Sequence, residues 1–219
     1  MQLRTLLAGS ALAAGLVSAA PAAQAAQITI ANPGFDAATI ADGSTGSATS
    51  WSAASGTSAG VALNPSTSQL TGGTAKDGNN VGNLAPGQSL TQSLSTNYAA
   101  NTTYTLTFYV AERLDISFAG YDARVFVNGT SVAEALSATT PTGTTRGSFS
   151  NAINLIWTSP STVTAGQPLV LDFRPTATSG TVRTVIDAVS MTSAAPEPAT
   201  AGLMGMAAMG LLARRRRSV

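Results

Sequence analysis

Apolar and polar residues alternate strictly along residues 103–110, TYTLTFYV. Every second residue from Tyr104 to Val110 is apolar, while the threonines and Tyr109 occupy the other positions, as in a half-buried β-strand. No window of about eleven residues within 26–195 shows a helical period. Other short β-rich segments are residues 28–30, 89–94, 122–127, 131–136, 153–157, 169–174 and 182–191. The pattern therefore predicts an all-β domain with about eight strands.

Turn residues separate these segments. Asn128-Gly129 lies between two of them and predicts a tight β-hairpin. Residues 37–88 contain few large apolar side chains and predict long loops around one or two short strands, with residues 76–87 (KDGNNVGNLAPG) entirely in turns. The fold class predicted for residues 26–194 is a single antiparallel β-sandwich of the jelly-roll type.

The N-terminal segment differs from this body. Arg4 is its one charged residue, residues 6–20 are small and apolar, and Ala23-Gln24-Ala25 follows Pro21. This order is typical of a secretory signal peptide. We expect signal peptidase to remove residues 1–25.

The C-terminal segment, residues 195–219, combines a short apolar run with a basic end. Residues 199–213 carry no charge across 15 positions, which corresponds to a helix of about 22 Å, shorter than the ~30 Å hydrocarbon core. Positive charges beside a span stay cytoplasmic, which places the body outside. We expect transient anchoring in the inner membrane through this helix. The basic end consists of Arg214, Arg215, Arg216 and Arg217.

Pro196, Glu197 and Pro198, the apolar run and the arginine cluster together resemble the PEP-CTERM sorting signal of exported bacterial proteins. The resemblance implies recognition by a membrane exosortase and removal of the tail near Pro-Glu-Pro. It also implies delivery to the cell surface or extracellular matrix of a bacterium that makes exopolysaccharide. Extracellular polysaccharide is therefore an expected partner.

Composition restricts the chemistry of the body. Residues 26–195 contain six basic and nine acidic residues, a net charge of −3, without the clustered basic face that nucleic-acid binding needs. The chain has neither cysteine nor histidine, so thiol chemistry, the commonest general base and the commonest zinc ligand are excluded. We therefore expect a protein that is not an enzyme. Glycoside hydrolysis by two of Glu112, Asp115 and Asp122 is a less favoured alternative.

Several motifs of the body occur in the order of a known module type. These are NPGFD (residues 32–36), Trp51, YDARVFVNG (121–129) and VIDAVSMT (185–192). Together they resemble carbohydrate-binding and galactose-binding-like jelly-roll modules, which implies glycan binding by exposed aromatic rings and nearby polar groups. The expected glycan-binding residues are Trp51, Tyr109, Arg113 and Tyr121. A structural matrix protein without a small ligand is the alternative.

The same resemblance implies a structural calcium ion where the loop after the first strand meets the last strand. Asp36 and Asp187 occupy the matching motif positions. Calcium prefers six to eight oxygen ligands, with carboxylates supplying the charge. Asp187 also lies among apolar residues of a predicted strand, where a carboxylate without a partner would be costly to bury.

Overall fold

The computed structural model describes residues 25–141 and 144–195, which form two packed β-sheets. The strands of the eight-stranded sheet are β1 (Ala26–Ile28), β2 (Thr45–Ser47), β4 (Val61–Leu63), β5 (Val81–Leu84), β7 (Thr103–Ala111), β8 (Ser117–Phe118), β11 (Ile153–Thr158) and β13 (Val182–Ala194). The strands of the five-stranded sheet are β3 (Ser58–Ala59), β6 (Gln88–Asn97), β9 (Tyr121–Val127), β10 (Thr130–Ser137) and β12 (Pro168–Arg174). Apart from a 3₁₀ turn at Thr71–Gly73, the described residues contain no helix.

The strand order confirms the predicted sandwich. The larger sheet runs β11–β7–β13–β5–β4–β2, and β1 and β8 also pair with β13. The smaller sheet runs β10–β9–β12–β6–β3. Every pairing is antiparallel except β8 with β13 and β3 with β6. The body is thus an antiparallel, jelly-roll-like sandwich.

Local sequence signals position the best predicted elements. Asn128 and Gly129 have φ angles of +48° and +75°, which is the backbone that a type I′ hairpin turn requires. In β7, Leu106, Phe108 and Val110 are fully buried, and the residues between them are half-buried on the opposite face. Both the hairpin and the facing of β7 are confirmed.

The prediction that residues 76–87 consist only of turns is wrong, because they contain the fully buried strand β5. A Cβ atom on Gly82 would lie 2.7 Å from the Phe35 ring. Glycine is needed here because the β5 backbone passes directly over an aromatic side chain, and this is a packing role instead of a turn role. Residues 37–88 contain four short strands in total, more than the one or two predicted.

The apolar side chains form two clusters. The main cluster fills the space between the sheets and includes the rings of Phe108 and Phe173, whose centroids are 5.3 Å apart. The smaller one lies on the outward face of the larger sheet, where segment 64–80 contributes Leu70 and Ala75. It contains Leu63, Leu70, Val81, Ala111 and Val185, with Ala75 and Phe149 packed against it. Segment 64–80 is therefore anchored on β13 and its neighbours.

All described strands and both apolar clusters belong to one compact unit, Gln24–Pro196. Because this unit contains both apolar clusters of the described residues, we expect residues 25–195 to fold on their own. The predicted signal peptide and sorting helix lie outside the described residues. Within residues 25–141 and 144–195, no helix is long and apolar enough to cross a membrane.

Candidate functional site

A fully buried carboxyl group lies on the outward side of β13, under residues 76–80, which we call the capping loop. Asp187 is 0 % exposed and lies opposite Tyr109 in the pairing of β13 with β7. Its Oδ2 atom accepts the backbone N–H groups of Lys76 at 2.7 Å and Asp77 at 3.0 Å. Its Oδ1 atom accepts the N–H of Ala188 at 2.7 Å. Three backbone donors thus surround one buried carboxyl.

Asp36 contacts the other end of the same loop. It follows β1 in a turn where Phe35 has a φ of +63°, and its Oδ1 atom accepts the N–H groups of Asn79 and Asn80 at 2.7 and 2.8 Å. Gly78 has a φ of +67°, and a Cβ atom there would collide with the Asp36 carboxylate. The structure therefore brings the two predicted residues Asp36 and Asp187 to one loop, although each binds different amides.

Burial controls the titration of Asp187. It raises the pKa of the Asp187 carboxyl to about 7, although the N–H groups of Asp77, Ala188 and Lys76 act in the opposite direction, and the nearby Asp36 charge raises it further. A carboxyl with this pKa carries its proton at slightly acidic pH and can release it near neutrality. That is the property of a general acid.

Lys76 connects the capping loop to the sheet a second time. Its Nζ atom lies 4.6 Å from the centroid of the Tyr109 ring, a cation–π contact. Tyr109 is half-buried on the outward face of β7, as the alternation predicts. One face of the ring is therefore covered by the lysine ammonium and is not an open platform for a sugar.

The oxygen atoms around the capping loop decide which residues suit calcium. Both oxygens of Asp187 already accept N–H bonds, so Asp187 does not fit as a ligand. A Cβ atom on Gly34 would lie 2.9 Å from Asp36 Oδ2 and 3.2 Å from Asp77 Oδ2, so these two oxygens converge. Asn80 Oδ1 is buried and accepts no hydrogen bond within the described residues. Asp36, Asp77 and Asn80 supply the donor chemistry that calcium prefers.

No group of three or more acidic side chains within residues 25–141 and 144–195 is arranged to hold a metal ion. A pocket of about 220 Å³ lies beside the loop, between Asp36, Thr39, Ile40, Asn64 and Asn80. Binding of a calcium ion by Asp36 therefore remains a prediction, for which this pocket offers space.

The structure corrects the prediction for two of the glycan-binding aromatic residues, because both belong to the core. Trp51 is 7 % exposed, stacks on Phe35 with ring centroids 5.3 Å apart, and donates its Nε1–H to the Asn32 carbonyl. Tyr121 is 8 % exposed and packs edge-on against Phe108. Neither ring offers a face to a ligand, because both rings fill space between the sheets.

Arg113, the polar residue among the expected glycan-binding residues, already has a partner within the domain. Arg113 is buried, and its Nε and Nη2 atoms donate to the two Asp115 oxygens at 2.9 and 2.6 Å. Glu112 pairs with Arg146 at 3.5 Å, whereas Asp122 binds Arg124 on the other sheet. The three carboxylates considered for hydrolysis therefore have separate arginine partners and do not form one site.

The sequence analysis missed the capping loop, since its Gly, Asn and Asp residues indicate only a turn. The available signal was the acidic residue within the apolar context of Val185 and Val189. A buried carboxylate in such a strand requires donors, and the donors that meet it are backbone amides, which no sequence motif identifies.

Comparison with known proteins gives two sequence matches. The family described as HpiC1-like, HpiC1 cyclase, matches residues 26–192, and the PEP-CTERM protein-sorting motif matches residues 194–217. No curated protein matches the chain.

Solved structures resemble the body in fold. The Stig cyclase Fisc from Fischerella sp. TAU, in complex with (3Z)-3-(1-methyl-2-pyrrolidinylidene)-3H-indole, is 17 % identical with a TM-score of 0.65, covering 78 % of this chain and 98 % of that chain. An apo cyclase from Fischerella sp. is 20 % identical with a TM-score of 0.63, covering 77 % and 96 %. The CBM22-1 xylan-binding domain of Paenibacillus barcinonensis Xyn10C is 13 % identical, covering 81 % and 99 %, but its TM-score of 0.45 is too low for an argument.

Proposed function

The chain belongs to the HpiC1-like cyclase family, and from this premise we propose that it is an exported enzyme in which Asp187 donates a proton during ring closure of a small molecule. The family membership corrects the expectation of a protein that is not an enzyme. That expectation rested on the absence of histidine, but a carboxyl group with a raised pKa performs the same acid–base chemistry.

One observation carries the proposal: Asp187 is fully buried with a pKa near 7, and its anion has three backbone N–H donors. Burial favours the neutral acid that donates a proton to a substrate double bond or carbonyl. The N–H of Ala188, which belongs to β13 and not to the capping loop, then stabilises the carboxylate that remains. A neighbouring π bond closes the ring onto the cation, and the carboxylate takes a proton back. The net reaction is an isomerisation that needs no cofactor.

Tyr109 supports this chemistry because it lies opposite Asp187 and its ring already holds a cation, the Lys76 ammonium. Positive charge that develops on a substrate over the same ring would be stabilised in the same way. The capping loop covers Asp187, so substrate entry requires the loop to move and Lys76 to leave the ring. Gly78, at its positive φ, is the residue in the loop best suited to such a change.

The relatives supply a probe for this proposal. A Fischerella cyclase has been solved with 4-(1H-indol-3-yl)butan-2-one, a ketone with exchangeable protons next to its carbonyl. A proton donor and acceptor at Asp187 should accelerate the exchange of those protons with deuterium in D₂O. The measurement is deuterium incorporation into this ketone, followed by NMR with residues 25–195 near pH 7.

We expect exchange above the protein-free rate with the native domain and loss of that acceleration in Asp187→Asn. Asp42→Asn is the matched control, because Asp42 is exposed and outside the site. Equal acceleration by the native protein and Asp187→Asn would refute the role of Asp187.

The PEP-CTERM motif marks the protein as an exported surface protein. We propose that signal peptidase and exosortase process it, so that the enzyme works outside the cell. Association with extracellular polysaccharide is a second candidate function. It is favoured by the charged and apolar side chains on the outward face of the five-stranded sheet, whereas Asp187 belongs to the other sheet.

A further inference from the structure

The outward face of the five-stranded sheet carries an ordered network of charged side chains. Arg124 lies opposite Glu134 on one neighbouring strand and Asp172 on the other, and Asp172 lies opposite Thr91. The next row places Asp122 between Leu136 and Arg174. We call these seven residues the polar face: Thr91, Asp122, Arg124, Glu134, Leu136, Asp172 and Arg174.

Three carboxylates, two of them buried, hold the two arginines of the polar face in place. Arg124 Nη2 lies 2.7 Å from Asp122 Oδ2 and 2.9 Å from Glu134 Oε1. Arg174 Nε donates to Asp172 Oδ2 at 2.7 Å, while Thr91 donates to Asp172 Oδ1 at 3.1 Å. The Asp172 side chain is only 2 % exposed, yet the Arg124 and Arg174 side chains keep 34 % and 31 % exposure. Both guanidinium groups therefore reach the surface in fixed orientations.

A buried charge network contributes little to the stability of a sheet, because removing the charges from water costs free energy. Burial raises the pKa of the Asp122 carboxyl even though Arg124 acts in the opposite direction. The neighbouring Glu134 also raises this pKa, and replacing a buried ion pair by well-packed apolar side chains is often neutral for stability. An arrangement that holds two arginines rigidly towards solvent is better explained by a ligand, because pre-organised groups lose little entropy on binding.

The chemistry of the polar face selects the ligand class. Its three carboxylates and two guanidinium groups sum to −1, and residues 26–195 carry −3, so a polyanion is disfavoured. The groups exposed on it are the two guanidinium donors and the Glu134 carboxylate acceptor, and a sugar hydroxyl can both accept and donate a hydrogen bond. Leu136 on β10 is 59 % exposed. Phe126 on β9 is half-buried and points outward, as Asp122 and Arg124 of the same strand do. Leu136 and Phe126 add apolar surface for the carbon–hydrogen faces of sugar rings.

We infer that the polar face binds a neutral polysaccharide, with Arg124 and Arg174 donating to its hydroxyl groups, Glu134 accepting from them, and Leu136 and Phe126 contacting ring faces. This rests on the proposed association with extracellular polysaccharide. It is independent of the proton donor at Asp187, which belongs to the other sheet.

Affinity electrophoresis tests the inference with residues 25–195 in native gels containing laminarin, hydroxyethyl cellulose, galactomannan or alginate. We expect at least one neutral polysaccharide to retard the native domain and alginate to leave it unretarded. Glu134→Gln combined with Leu136→Ala changes two solvent-accessible side chains and should weaken retardation at least tenfold. Arg174→Ala should do the same. Arg183→Ala is the control, because it removes an arginine from the other sheet.

Thermal melts verify that each variant is folded, which matters most for Arg174→Ala because it leaves the buried Asp172 with Thr91 but without its arginine partner. Failure of every neutral polysaccharide to retard the native domain would overturn both the inference and the proposed association. Retardation that the double variant leaves unchanged would overturn the polar face alone. Retardation by alginate instead of the neutral gels would overturn the ligand class.

Discussion

Asp36 and Asp187, from the first and last parts of the domain, accept backbone N–H groups of the same loop. Asp36 binds the amides of Asn79 and Asn80, and Asp187 binds those of Lys76 and Asp77. The loop therefore has no regular structure of its own and takes its shape from two carboxylates. Asp187 is fully buried, whereas Asp36 is exposed. The loop therefore both donates hydrogen bonds to the Asp187 carboxyl and covers it from solvent.

Phe108 tests the interior of the sandwich. It is fully buried and contacts the rings of Tyr121 and Phe173, so Phe108→Ala opens a cavity and should cost about 3–5 kcal/mol of unfolding free energy. Tyr109→Ala is the matched variant on the opposite face. It should cost much less, because it removes a half-buried ring and its contact with Lys76. Denaturant unfolding measures both, and the reverse ranking would contradict the facing of β7.

The strands that local sequence determines were predictable. The facing of β7 follows from strict alternation, and the β9–β10 hairpin follows from Asn128-Gly129. Strand β5 was not predictable, because Val-Gly-Asn-Leu has little β-propensity. Its position depends on the Phe35 ring beneath Gly82, a contact between residues distant in the chain that no local pattern encodes.

The candidate site was predictable only in part. Motif order named Asp36 and Asp187, but backbone amides complete the site, and any residue type can supply them. The aromatic candidates were wrong at Trp51 and Tyr121 because the surrounding sequence does not tell which ring turns inward. Composition was misleading about catalysis, since it excludes histidine chemistry without excluding a carboxylic acid whose pKa is raised by burial.

Calcium binding at the capping loop can be measured by thermal melts of residues 25–195 in millimolar calcium and in EDTA. An ion bound by the oxygens of Asp36, Asp77 and Asn80 would stabilise the folded state, so we expect a higher midpoint with calcium. Asp36→Asn should abolish the difference. Identical midpoints in calcium and EDTA would rule out a stabilising site.

Processing of the C-terminal segment follows from the sorting motif at residues 194–217. In the native host we expect the surface form to lack everything beyond about Pro198, because exosortase substrates are expected to lose the segment after Pro-Glu-Pro. Intact-mass spectrometry of the surface fraction checks this. Surface protein that still carries Arg214–Arg217 would be incompatible with the proposed route.

Asp187 should make the domain less stable as the pH rises. Its pKa is about 7 in the folded protein and about 3.9 in an unfolded chain. A raised pKa favours the protonated form, so this contribution is complete below about pH 4 and is lost as the pH rises through 7. The loss is about 4 kcal/mol at most. Asp36, Asp77, Lys76 and Tyr109 are the charged and titratable groups that face Asp187. The measurement is the difference in unfolding free energy between the native domain and Asp187→Asn, compared at pH 4 and at pH 8.

The most direct test is the titration of the Asp187 carboxyl carbon, followed by ¹³C NMR of residues 25–195 and assigned with Asp187→Asn. A proton donor held neutral by burial should titrate with a midpoint near 7. A midpoint near 4 or below would mean that the three N–H groups outweigh burial and keep Asp187 ionised, and it would contradict the role of Asp187 as the acid.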